Sequence, residues 1–165
     1  MVSPKESLKE RNLLNSFSEN IKYFPQDYSE VEIDTTLSNG FSIYTKTFTD
    51  MESSVIYEFK QDTITHKYFF RDTRVSVQVS KNDKLIFEHL FDKNYFIRTY
   101  PKYKDYFKKS NLVGVWLNEN YINNNHVLLR IAFCIPKTDL YLDYNLLIDK
   151  EGNYSLEEIK EEEIL

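Results

Sequence analysis

The chain has 165 residues, 41% of them hydrophobic and 28% charged, with a net charge of −5. That length carries one domain with its own core, and the composition excludes a disordered chain. The acidic balance speaks against a general nucleic-acid binder, whose surface needs a basic excess. Cys134 is the single cysteine, so no intrachain disulfide forms, and no apolar run reaches the roughly 20 residues that span a bilayer as a helix.

Thirteen Tyr and 12 Phe stand against three Gly and one alanine, Ala132. Aromatic residues suit half-buried pleated surfaces, and a chain this poor in alanine is badly stocked for long helices. The first residues differ. Ser3 and Glu6 have capping-box spacing, Pro4 falls at the first helical position, and Leu8, Leu13, Leu14, Phe17 and Ile21 make an imperfect helical stripe. Residues 1–22 are therefore expected to be a short helix, arm or tether, and residues 23–165 a single β-rich domain.

From Tyr28 the period becomes two. Val31, Ile33, Thr35 and Leu37 alternate with acidic and hydroxyl residues, Ser38-Asn39-Gly40 is a turn, and Phe41 to Thr49 returns as a strand. Asp50 to Ser53 reads as a break before a strand at Val55–Phe59, and Arg71 to Arg74 as a break after a strand at Ile64–Phe70. Val75, Val77 and Val79 then alternate with Ser76, Gln78 and Ser80. Lys81 to Lys84 turns the chain, and Leu85, Phe87 and His89 bring it back.

Residues 92–111 lose the strand rhythm, and Pro101 opens a short helix expected near 101–109. Strands resume at Val113–Leu117, then at Val127–Ile135 after the turn Asn123 to His126. Only Arg130 interrupts that second run, which predicts a central strand covered on both faces, with Cys134 a buried thiol. Leu140 to Ile148 alternates again, with Tyr141, Asp143 and Asn145 on its wet side, and Asp149 to Gly152 turns it back. About nine strands at this spacing predict a mainly β fold, an antiparallel sandwich or partly closed barrel of hairpins.

Chemistry is sparse. His66, His89 and His126 fall on three elements without ligand-type spacing, so no metal and no cofactor are expected. Asp139 and Asp143 lie about 13 Å apart on a strand, wider than the roughly 5–9.5 Å of a glycosidase pair. Asp149, Glu151 and Asn153 fit a hairpin better than a calcium loop, which needs a trailing bidentate Glu. The chain is read as not an enzyme. The distinctive segment interleaves Arg98, Lys102, Lys104, Lys108 and Lys109 with Tyr100, Tyr103, Tyr106 and Phe107. Side by side, these groups would make a binding surface, with Arg98, Tyr100, Lys102, Tyr103, Tyr106 and Lys108 as its residues. The alternative is an amphipathic cover, rings inward and lysines in water. The acidic run Glu157, Glu158 and Glu161–Glu163 is expected to be solvated or to pair with the basic segment.

Tyr23 to Tyr28, Asp34-Thr35, Leu37 to Phe41, Lys81 to Phe87 and Ile148 to Asn153 resemble turns and strand edges of an uncharacterised family of Bacteroidetes lipoprotein-type domains, over residues 23 to about 159. The resemblance implies a non-catalytic β-rich accessory or binding domain of a bacterial cell-envelope lipoprotein, exported or periplasmic, with a lipid tether only where a leader has been removed. Met1 to Lys5 has no signal-peptide core. The alternative is therefore a small cytoplasmic immunity-type interaction domain, whose acidity suits a basic partner. The partner is left open, another protein being the first choice.

Overall fold

Residues 18–121 and 123–160 are described by a computed structural model of the chain. Alternating apolar positions build two sheets that bury one face each. The first contains β1 (Glu19–Phe24), β2 (Glu30–Thr36), β3 (Phe41–Gln61), β4 (Ile64–Lys81) and β5 (Lys84–Phe91), in the order β1-β4-β3-β2 with β5 also on β4. The second runs in sequence order through β6 (Asn111–Leu117), β7 (His126–Cys134), β8 (Tyr141–Asp149) and β9 (Tyr154–Glu158). Every pairing is antiparallel except β1 on β4, and the sheets form a sandwich, not a closed barrel.

Between the sheets, Phe41, Ile43, Val75, Val77, Val79 and Phe91 meet Leu129, Ile131, Phe133, Tyr144, Leu146 and Ile148, all buried. The connection from β5 to β6 is α1 (Lys93–Thr99), a 3-10 turn at Pro101–Tyr103 and α2 (Lys104–Lys109). Helix thus begins earlier than the expected 101–109, because Asp92 caps α1 by accepting the Tyr95 N–H at 2.8 Å. The segment drives Phe96 and Phe107 against Phe133, at ring distances of 4.7 and 4.9 Å. At the β8–β9 turn, Asp149 Oδ1 accepts the N–H groups of Glu151 and Asn153, the hairpin arrangement expected. Gly152 there has φ +89°, and a Cβ on it would stand 1.9 Å from the Ile86 carbonyl of β5. Only glycine lets the two sheets approach at this point.

Three expectations are corrected. The helical stripe falls mostly outside the described residues, and its end is a strand. Glu19–Phe24 is β1, laid parallel to β4 from Thr65 to Phe70, so the β domain begins by residue 19. The breaks at 50–53 and 71–74 are not breaks. β3 and β4 run through them, with an irregularity between Asp50 and Ser54, as one hairpin of 21 and 18 residues. The charged groups that suggested a break find partners in place. Asp72 pairs with Lys93 at 2.8 Å, both nearly buried, and also accepts from Ser53 and from Asn111 Nδ2. Arg74 pairs with Asp92, and Arg71 donates to the Pro25 and Met51 carbonyls while lying 4.5 Å over the Tyr23 ring. Finally, β7 is central but covered on one face only: Val127, Leu129, Ile131 and Phe133 point inward, while Arg130 is exposed and Cys134 half-buried.

The far half of the hairpin, Ser54 to Phe70, carries only β1 and projects as a three-stranded arm. Phe24, Tyr57, Phe59, His66, Tyr68 and Phe70 share one of its faces, with Phe59 stacked on His66 at 4.6 Å and Phe24 on Phe70 at 5.3 Å. The other face shows Ile21, Tyr23, Ile56 and Phe69. Neither face is covered by another layer among the described residues.

Two outcomes follow. Asp72→Ala leaves the Lys93 ammonium buried without its partner and is expected to cost about 3–5 kcal/mol in urea unfolding, whereas Asp72→Leu with Lys93→Met recovers most of that loss. His89 packs 4.4 Å from Phe91 and 4.7 Å from Tyr95, and burial holds its imidazole below the ordinary range against the opposing charge of Asp92. Its folded pKa is the lower one, so the unfolded chain takes the proton first. Stability is full above about pH 6.5 and falls as pH drops through that value. In His89→Leu, urea midpoints compared at about pH 7.5 and 5.5 should differ less than in the parent chain.

Candidate functional site

The basic–aromatic segment divides by chemistry. Tyr100, Tyr103 and Tyr106 pack against the core, while Arg98, Lys102 and Lys108 face solvent. Tyr100 stacks on the buried Tyr144 at 4.9 Å. The Tyr103 hydroxyl donates to Glu158 Oε2 at 2.7 Å, and the Tyr106 hydroxyl to the Leu140 carbonyl at 2.8 Å. Burial raises the pKa of the Tyr100, Tyr106 and Tyr144 phenols. The six residues therefore do not form one surface; only Lys102 keeps a contact with its neighbour, 4.9 Å over the Tyr103 ring. Amphipathic helices explain the pattern, since rings at three- and four-residue spacing fall on one side. Glu158 is engaged by a tyrosine, not by a lysine, and Glu161–Glu163 lie outside the described residues.

A different set of residues converges on the outer face of the β6–β9 sheet. Register places Trp116 opposite Arg130 and Arg130 opposite Asn145; one step along, Gly114 stands opposite Ala132 and Ala132 opposite Asp143. The Trp116 indole lies over Gly114, where an added Cβ would come 3.0 Å from its Cζ2. Val113 is the extra residue of an irregularity between Leu112 and Gly114, and it turns out to solvent beside the indole. Trp116 stays 44% exposed and Tyr141 61%.

Arg130 and Asp143 are diagonal neighbours on this face and form an ion pair. The carboxylate is 5% exposed, the guanidinium half exposed, and Asp143 Oδ1 is buried with no donor among the described residues. Asp143 is thus not on a solvated strand side as expected: it is an anchor beneath an arginine. Around it, Val113, Trp116, Arg130, Ala132, Tyr141 and Asp143 line a depression of about 370 Å³. A second, of about 390 Å³, lies across Trp116 against Leu128 and Asn145. The sequence held two signals for this site: the only tryptophan, two residues after a glycine, and a lone arginine inside an apolar run.

His66, His89 and His126 stand on β4, β5 and β7, and among the described residues no three His, Cys, Asp or Glu side chains gather as metal ligands. No helix among the described residues is long and apolar enough to cross a membrane.

Fold and site together define a two-sheet β domain with an aromatic–arginine patch on one outer face and a projecting three-stranded arm. The chain belongs to the family described as Domain of unknown function (DUF4738), whose model matches residues 15–156. No curated protein matches it.

If the 98–109 segment is a cover for the core, its rings matter to stability and its lysines do not. Tyr106→Phe, which leaves the Leu140 carbonyl without that donor, should cost about 1 kcal/mol in chemical unfolding. Alanine at Lys102, Lys104 and Lys108 together should change stability by less than about 0.5 kcal/mol.

Proposed function

We propose that this is a non-catalytic protein-binding domain that uses the outer face of the β6–β9 sheet. The observation that carries the reading is Trp116, seated on Gly114 and still exposed, beside an arginine fixed by a buried aspartate. Trp, Tyr and Arg are the side chains that dominate binding energy at protein interfaces, and they do so best when held in place before contact. Trp116 and Tyr141 offer large rigid apolar area. The Asp143 pair orients Arg130, and its remaining N–H groups offer fixed donors to carbonyl or carboxylate acceptors of a partner. The resemblance of this chain's turn segments to a lipoprotein-type family supports an exported setting as part of this proposal.

The test places a photo-crosslinking residue at Val113 in the cell of origin, identifies the adduct and measures the purified pair. Trp116→Ala and Arg130→Ala should each weaken binding by more than about tenfold, about 1.4 kcal/mol, with unchanged thermal stability. A partner that binds equally well after both truncations overturns the reading. Labelling of the full gene product with a palmitate analogue tests the lipoprotein setting, and failure to incorporate it removes that part.

A further inference from the structure

The arm ends in an open edge. β2 covers β3 only from Ser42 to Phe48, and from Ser54 to Gln61 no strand among the described residues pairs with the outer side of β3. Such an edge invites another strand unless it is blunted.

The ladder tells which peptide groups are free. Thr65 N–H is given to the Ser18 carbonyl at 2.8 Å, so odd-numbered residues in this part of β4 turn their peptide groups toward β1 and away from β3. Their partners on β3 are Ser54, Ile56, Glu58 and Lys60. These four therefore aim N–H and C=O outward, in alternation, as an antiparallel partner requires. If the partner is a second copy related by a two-fold axis, even-numbered residues must meet even-numbered ones, which leaves few registers.

Charge selects among them. Centred on Val55, Glu58 would face Glu52. Centred on Tyr57, Glu58 would face Ile56 and Lys60 would face Ser54. Centred on Glu58, two carboxylates would meet. Centred on Ile56, Lys60 faces Glu52 twice by symmetry, Glu58 faces Ser54, and Ile56 meets its own copy. Neither Glu52 nor Lys60 has an ion-pair partner among the described residues, and Ile56 is 57% exposed. A lysine on an edge normally repels pairing; here the matching glutamate sits at the symmetric position. Glu52 lies in the irregular turn of β3, two residues before Ser54, with its N–H held by Asp50.

We propose that the arm pairs with a second copy of this chain, β3 to β3 antiparallel about Ile56. The result is a continuous six-stranded sheet, β1-β4-β3 joined to β3-β4-β1, in which Tyr57 of each copy lies beside Val55 of the other. This inference is independent of the partner reading for the Trp116 face.

Sedimentation equilibrium of the full chain, 19.8 kDa, tests it. A reversible dimer of twice that mass is expected. Lys60→Glu alone and Glu52→Lys alone should each weaken the dimer at least about tenfold, because both put like charges opposite one another. The double variant Glu52→Lys with Lys60→Glu should restore it. Ile56→Pro, which removes an outward N–H without touching the β4 ladder, should give a monomer with unchanged circular dichroism. A chain that stays monomeric at every soluble concentration overturns the proposal. So does a dimer indifferent to both single reversals, or one that the double reversal fails to restore.

Discussion

The buried pair between Asp72 and Lys93 is the contact on which the architecture turns. It sits where four parts meet: the middle of β4, the irregularity of β3 through Ser53, the start of α1 through Lys93, and the start of β6 through Asn111. A lone carboxylate at that depth would be driven out or neutralised. With the ammonium and two neutral donors around it, β4 can carry a charge through the interior without ending. That is why one strand serves both the body and the arm.

What could be read from the sequence was local. Turns at Ser38–Gly40, Lys81–Lys84, Asn123–His126 and Asp149–Gly152 announce themselves through residues that tolerate unusual backbone angles, and the valine alternation of β4 fixes its buried face. What could not be read depended on distant partners. Arg71, Asp72 and Arg74 look like a loop until Tyr23, Lys93 and Asp92 are supplied from elsewhere. β1 pairs in parallel with a strand some 46 residues later, as Asn20 beside His66 shows, and short-range periodicity carries no trace of that. Asp143 looks solvent-facing and Arg130 looks like a lone interruption of a covered strand; only the cross-strand diagonal turns them into an anchored pair.

The same reasoning separates the two aromatic regions. Rings at 96–107 follow a helical spacing and close the end of the sandwich, their hydroxyls spent on carbonyls and a carboxylate. Trp116 follows a strand spacing and faces out, held by the bare surface of Gly114. Aromatic content alone does not distinguish a core from a contact surface; the element that bears the ring does.

Because β3 and β4 pass unbroken from the valines of the core to the tip at Asp62, the arm behaves as a cantilever. A joint would need residues whose backbone angles are free to change. The one irregularity, between Asp50 and Ser54, is bolted by Asp72 to Ser53 and by Arg71 to the Met51 carbonyl. Whatever grips the tip thereby also fixes the direction in which the body, and the Trp116 face on it, must look.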